Sequence, residues 1–236
     1  MSARFEVLDW TETRLGVISL RRRLEPTLNV DVYEVKLGDE FLMSSLFTVA
    51  EVELARLGLA QAVDGDLDVV VGGLGLGYTA QAALEDPRLR SLLVVEALGE
   101  VIDWHQRALL PDTAELALDP RVRLQRGDFF ELAAGDAGFD SETPGRRFHA
   151  VLLDVDHTPR HVLHPSHSAL YTTPGLKQLA RHLHPDGVFA LWSDDPPDPA
   201  FEDVLATVFD RSESTVVRFA NPLTGGHSTN TVYVAR

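Results

Sequence analysis

From residue 68 onward the chain alternates between two hydrophobic patterns. Short, nearly continuous apolar runs at 68–71, 91–95, 122–125, 148–153 and 188–192 read as strands. Between them, 100–110 and 173–184 read as helices, the second closed by a Pro185-Asp186-Gly187 turn. Strands that are apolar throughout are covered on both faces, and strand–helix alternation builds parallel βαβ units. The tail reads differently: 215–220 and 229–235 flank Pro222 and Gly225-Gly226, as the arms of an antiparallel hairpin would. The expected fold is α/β and Rossmann-like, a mostly parallel seven-stranded sheet with an antiparallel terminal hairpin.

The first forty-odd residues do not share this pattern. Short β-rich runs at 5–10, 15–21 and 29–37, separated by turn-like or charged residues, predict a small antiparallel β unit. Apolar residues at helical spacing (Leu46, Val49, Ala50, Leu54, Leu57) then predict a helix over 46–60. The expected organisation is an N-terminal β unit, 1–45, followed by the main domain, 46–236.

Charge and composition exclude more than they identify. Acidic residues outnumber basic ones 36 to 21, for a net charge of −15. A field of that sign repels nucleic acid and mildly favours cationic ligands such as amines or a sulfonium. The chain has no cysteine, so disulfides, thiolate metal sites and Cys nucleophiles are excluded. With no apolar run of membrane-spanning length and no leader-like segment, no membrane partner and a cytoplasmic location are expected.

Candidate chemistry collects at the carboxyl ends of successive strands, where open α/β sheets bind ligands. The first strand runs into Gly72-Gly73-Leu74-Gly75-Leu76-Gly77-Tyr78. Its glycines let the backbone turn sharply and let a nucleotide lie against it. A dinucleotide fingerprint started at Gly73 fails, because its sixth position is Tyr78. Glu96 follows the second strand, where a carboxylate accepts ribose hydroxyls. Gly127-Asp128-Phe129 follows the third; Asp128 would accept from an adenine amine and Phe129 would pack on the ring. These positions describe an adenosine-type site.

The fourth strand ends in Asp154-Val155-Asp156-His157. Attack of an amine on a sulfonium carbon requires a neutral nucleophile, and Asp154 is the candidate base that takes its proton. Asp156, His157 and, after the fifth strand, Asp194 are expected at the mouth as substrate or gate residues. His161, His164 and His167 crowd the same loop, but Pro159 and Pro165 break any continuous helical face; a lid is expected there and no metal site.

Together these residues resemble the spermidine synthase-like, or polyamine aminopropyltransferase, family. The resemblance spans most of the chain and rests on Asp39-Glu40-Phe41, the glycine turn, Glu96, Gly127-Asp128-Phe129, and Leu153-Asp154 before a proline-containing loop. It implies a class I methyltransferase fold with an N-terminal β domain, and a homodimer or tetramer. It implies decarboxylated S-adenosylmethionine as donor, with Glu96 on the ribose, Asp128 on the adenine and Asp154 deprotonating the attacking amine. Four positions depart from the family pattern. An Asp of the glycine turn is Gly75, a second Asp of the strand-four motif is His157, a Tyr–Gln or Tyr–His pair is Met43-Ser44, and a Gln five residues before Asp39 is Glu34. The acceptor is then an amine whose identity the sequence leaves open, and putrescine has no specific support. Methyl transfer from intact S-adenosylmethionine and non-catalytic binding of an adenosyl compound are the alternatives.

Overall fold

The computed structural model describes residues 4–13, 16–155 and 157–236. Asp156, expected at the mouth of the site, lies outside the described residues. Four strands come first: β1 (Phe5–Thr13), β2 (Gly16–Glu25), β3 (Val30–Leu37) and β4 (Glu40–Ser44), paired in that order as an antiparallel sheet. β4 had no counterpart in the sequence pattern, being only five residues long and following a two-residue turn. One face of this sheet places Ile18, Leu20 and Val35 in the main core.

The helix α1 (Val49–Ala60) follows, starting three residues later than the periodicity predicts. The second sheet is then built by β5 (Leu67–Gly72), β6 (Leu89–Glu96), β7 (Val122–Arg126), β8 (Phe148–Leu153), β9 (Leu183–Ser193), β10 (Ser212–Asn221) and β11 (Gly226–Ala235). Interleaved with these strands are α2 (Tyr78–Leu84), α3 (Gly99–Gln106), α4 (Phe129–Ala134), α5 (Thr173–Ala180) and α6 (Pro199–Ala206). The strand order is β10-β11-β9-β8-β5-β6-β7; β5 to β9 are parallel, and β11 runs antiparallel to both neighbours. This is the seven-stranded, mostly parallel sheet that the sequence predicts.

Successive residues of the central strands feed opposite faces, as the strand period of two requires. Val69, Val71, Leu152 and Ala190 pack with α1 and α2 on one side. Val70, Val151, Leu153 and Phe189 pack with residues of α4, α5 and α6 on the other. α1 approaches the sheet closely at Gly58, where an added Cβ would come 2.7 Å from Leu152 Cδ2 and 3.0 Å from Ala190 Cβ.

The predicted helix over 173–184 ends at Ala180, and Leu183 already pairs with Phe148 in the sheet. The register shifts before Ala150 pairs with Val188, so Pro185-Asp186-Gly187 forms an irregularity inside β9, with Asp186 at φ +60°. α6 was not legible in the apolar pattern; Asp198 caps it by accepting from Ala200 N at 3.0 Å, with Pro199 in its first turn. No helix among the described residues is long and apolar enough to cross a membrane.

Strand order reverses between β5 and β8, each of which is followed by a connection leading away from the other. A crevice opens at the carboxyl ends of strands at such a reversal. Gly72, at the end of β5, and Asp154, just past β8, meet there.

Candidate active site

The glycine turn and the end of β8 lie against one another. Asp154 N donates to Gly72 O at 2.8 Å. Gly73 has φ +91°, and a Cβ at that position would collide with the Asp154 carbonyl oxygen, so this corner admits only glycine. Two buried side chains hold the turn from behind. His105 Nε2 bonds Gly75 O at 2.9 Å, and Thr113 Oγ1 donates to Leu76 O at 2.9 Å. Because a carbonyl only accepts, the His105 ring carries its proton on Nε2. Burial lowers its pKa, which keeps the ring neutral. The same ring packs on Gly77, at the amino end of α2.

Glu96, at the end of β6, braces the turn from the other side. Its Oε2 accepts from Leu74 N and its Oε1 from Leu98 N, each at 2.9 Å. Burial raises its pKa, and the converging backbone N–H groups of Leu98, Leu74, Gly75 and Ala97 oppose that rise.

Asp128 is the N-cap of α4. Its Oδ1 accepts from Phe130 N at 2.8 Å and from Glu131 N at 3.2 Å, a role worth about 1 kcal/mol. Both cap bonds fall on Oδ1. Phe129 takes a different place from the one expected. It is buried, stacks on Phe139 with ring centroids 4.8 Å apart, and wedges against Gly72. The requirement for a glycine at position 72 thus comes from core packing, and the ring offers no open face to a ligand.

A cleft of about 330 Å³ opens on the far side of the glycine turn. Its walls come from the turn, from β4 through Met43 and Ser44, from α1 through Glu51, from the end of β8 through Asp154, and from β9 and β11 through Trp192 and Asn230. Phe41, Phe47, Tyr78 and Phe219 add aromatic surface. His157 and Asp194, both expected at the mouth, line it. Glu96 and Asp128 do not. The expected site residues therefore divide into a group around the glycine turn and a group around this cleft, meeting at Gly75 and Gly77.

Asp154 is half-buried at the base of the cleft, where its Oδ2 accepts from Thr79 Oγ1 at 2.6 Å. Desolvation raises its pKa to about 6, against the opposing effect of the Thr79 bond. Glu51 lies beside it. Desolvation first, then the neighbouring Asp154 charge, raise Glu51 to about 8. The two carboxyl groups titrate as a coupled pair, Glu51 keeping its proton to higher pH than Asp154. Asp194 is fixed by Asn230 Nδ2, which donates to its Oδ1 at 2.7 Å. No Lys or Arg lines the cleft among the described residues. At the opposite end of β5 the arrangement is reversed, since Asp68 is ion-paired with Arg90 and Arg146.

At the four departures from the family pattern the structure shows what replaces each group. The Met43 thioether fills the space over Gly75; an added Cβ there would lie 2.6 Å from Sδ and 3.1 Å from Cε. Glu34 is paired with Arg23 Nε at 2.6 Å. His157 Nε2 is 3.9 Å from Glu40 Oε1. The remaining loop histidines are spread out. His167 stacks on Phe130 at 3.7 Å and His164 Nδ1 contacts Ser166 Oγ at 2.7 Å. No three His, Asp or Glu side chains among the described residues are grouped to hold a metal.

Glu51, Thr79 and Asn230 were not singled out from the sequence. A signal existed for Glu51: on α1 it shares the face of Leu54, Ala55 and Gly58, all buried, so a carboxylate stands where helical spacing calls for an apolar residue. Asn230 carries no such signal, since it lies among Ser228, Thr229 and Thr231 in the polar half of β11. Trp192 closes one wall, and its buried Nε1 has no hydrogen-bond partner among the described residues.

Compared by sequence, the chain matches no protein-family model and no curated protein. Compared by structure, it is similar to a spermidine synthase in complex with the transition state analogue AdoDATO, at 16% identity and TM-score 0.70, over 97% of this chain and 71% of that one. It is similar to the spermidine synthase from Thermotoga maritima, at 16% identity and TM-score 0.72, over 97% and 72% of the two chains. A probable spermidine synthase from Corynebacterium glutamicum gives 16% identity and TM-score 0.64, over 98% and 80%. With its antiparallel N-terminal sheet and seven-stranded main sheet, the chain has a spermidine synthase-like fold.

Proposed function

We propose that this protein is a transferase that takes decarboxylated S-adenosylmethionine as donor and passes its aminopropyl group to an amine. The observation that carries the reading is the cleft beside the glycine turn, which presents Asp154, Glu51 and Asp194 with no lining Lys or Arg among the described residues. Such a lining suits ammonium groups. The α-carboxylate of intact S-adenosylmethionine would meet like charge there, which favours the decarboxylated donor over methyl transfer.

In this reading the Glu96 carboxylate accepts from the ribose hydroxyls, and Asp128 Oδ2 accepts from the adenine amine. The glycine turn, held by His105 and Thr113, leaves room for the nucleoside to lie against its backbone. The sulfonium tail then points over Gly75 and Gly77 into the cleft. The amine nitrogen attacks the carbon bonded to sulfur. A C–N bond forms, the C–S bond breaks with its electron pair going to sulfur, and methylthioadenosine departs. The proton of the new ammonium passes to Asp154, whose raised pKa suits a base working near neutral pH. Solved proteins of the same fold include one in complex with a transition state analogue, which supports the same class of chemistry.

Calorimetric titration with decarboxylated S-adenosylmethionine, intact S-adenosylmethionine and methylthioadenosine tests the reading. Tighter binding of the decarboxylated donor is expected. Preference for the intact donor would move the reaction to methyl transfer, and binding of none of the three would overturn the reading. A Glu96→Ala variant that bound all ligands normally would remove Glu96 from the ribose role.

A further inference from the structure

We infer that Glu51 is the carboxylate that grips an alkylammonium group of a bound substrate, a specificity-determining contact separate from the base Asp154. The inference rests on the transferase reading above.

The first ground is placement. Glu51 sits in the first turn of α1, on the face that carries Leu54, Ala55 and Gly58 into the core. That face aims the carboxylate into the cleft, where it is half-buried. The second ground is its lack of any cation. The acids buried away from the cleft are each matched by arginine. Asp68 has Arg90 and Arg146, Asp140 has Arg123 and Arg146, and Glu25 has Arg23. Among the described residues no ion pair and no hydrogen bond from another residue engages the Glu51 side chain, whose one donor is its own backbone N–H. With no cation beside it Glu51 holds its proton, and an ammonium group entering the cleft is the partner that lets it ionise.

The third ground is the division of labour between the two acids. Asp154 is fixed by Thr79 Oγ1, and the same hydroxyl lies 3.3 Å from the Glu51 backbone oxygen, so α1, α2 and the end of β8 are tied at one point. Asp154 is thereby oriented as a base, and Glu51 is left without a side-chain partner. Around Glu51 stand Phe47, Tyr78 and Trp192, whose rings accommodate the alkyl chain and the face of a cation. The Met43 thioether fills the space over Gly75.

The ammonium has two sources, the aminopropyl tail of the donor or the acceptor amine, and one experiment separates them. Affinities of decarboxylated S-adenosylmethionine and of methylthioadenosine, which lacks the ammonium, are measured for wild type and Glu51→Gln, together with the KM for a set of aliphatic diamines. If Glu51 holds the donor tail, Glu51→Gln weakens the decarboxylated donor by about 10- to 100-fold and leaves methylthioadenosine unchanged, the range for one charge-assisted hydrogen bond. If it holds the acceptor, both nucleosides bind as before and the amine KM rises by a similar factor. Unchanged nucleoside affinities together with an unchanged amine KM would overturn the inference. Glu51→Met, similar in volume, serves the same comparison should the amide variant fail to fold. Failure of the transferase reading is distinct, because wild type would then bind neither nucleoside.

Discussion

Thr79 Oγ1 donates a 2.6 Å hydrogen bond to Asp154 Oδ2, joining the first turn of α2 to the carboxyl end of β8. The bond favours the ionised carboxylate and so opposes the desolvation that raises the pKa of Asp154 to about 6. Replacing Thr79 with Val keeps the shape and removes the donor. The pKa of Asp154 then rises further, and the acid limb of the pH–rate profile moves to higher pH. Rate profiles of wild type and Thr79→Val from pH 5 to 9 check this; superimposable acid limbs would detach Asp154 from the rate.

Asp154→Asn leaves the size of the site unchanged and removes the proton acceptor. Turnover is expected to fall by about 100-fold or more, the usual contribution of a positioned base, with donor affinity little changed. Single-turnover kinetics and calorimetry on the same preparation measure the two effects. Normal turnover would remove Asp154 from the mechanism.

Met43 and Gly75 are coupled by space. Gly75 has φ +49°, and its missing Cβ leaves the room that the Met43 thioether occupies. Gly75→Ala is therefore expected to destabilise by roughly 1–3 kcal/mol, from backbone strain plus overpacking. Met43→Ala in the same chain should recover the overpacking share and leave the strain. Denaturant titration of the two single variants and the double variant gives the coupling, and simple additivity would contradict the contact.

The legibility of this fold follows from which signals are local. The central strands β5, β6 and β8 announce themselves because burial on both faces makes each a largely apolar run, whereas β7 and β10 are only partly buried and mix apolar with polar residues. β4 is short and its residues are only partly buried, so it has no such run. Pro185-Asp186-Gly187 has the composition of a turn between elements, yet pairing of Phe148 with Leu183 extends β9 across it, a long-range contact that local chemistry does not encode. Within the site, Asp128 was marked by its place after a strand; that place is also an N-cap, and the residue fills that role. Phe129 was placed against a ligand because it adjoins Asp128, but the helix that Asp128 starts turns the ring into the core. Glu51 was passed over because it lies twenty residues before the glycine turn, on a helix read only for its apolar face. Its proximity to Asp154 is a product of the packing of α1 on the sheet.

The folded-state pKa of Glu51, about 8, lies above its ordinary value of 4.5 because burial and the Asp154 charge disfavour ionisation. The folded protein therefore binds more protons than the unfolded chain between those values, and this group makes stability fall as pH rises through that window. Glu51→Gln removes the effect. Relative to wild type, the variant should gain roughly 1–3 kcal/mol of stability between pH 5 and pH 8, most of it at the upper end. Urea midpoints at several pH values test this, and a constant difference across the range would contradict the assigned direction.

The central claim is aminopropyl transfer, and the identity of the nucleoside product tests it most directly. The protein is incubated with equal amounts of decarboxylated and intact S-adenosylmethionine and a mixture of aliphatic amines, and the nucleosides are separated by chromatography and identified by mass. Methylthioadenosine, formed together with an aminopropylated amine and absent with Asp154→Asn, is the predicted result. S-adenosylhomocysteine in its place, or no nucleoside product from either donor, would contradict the account.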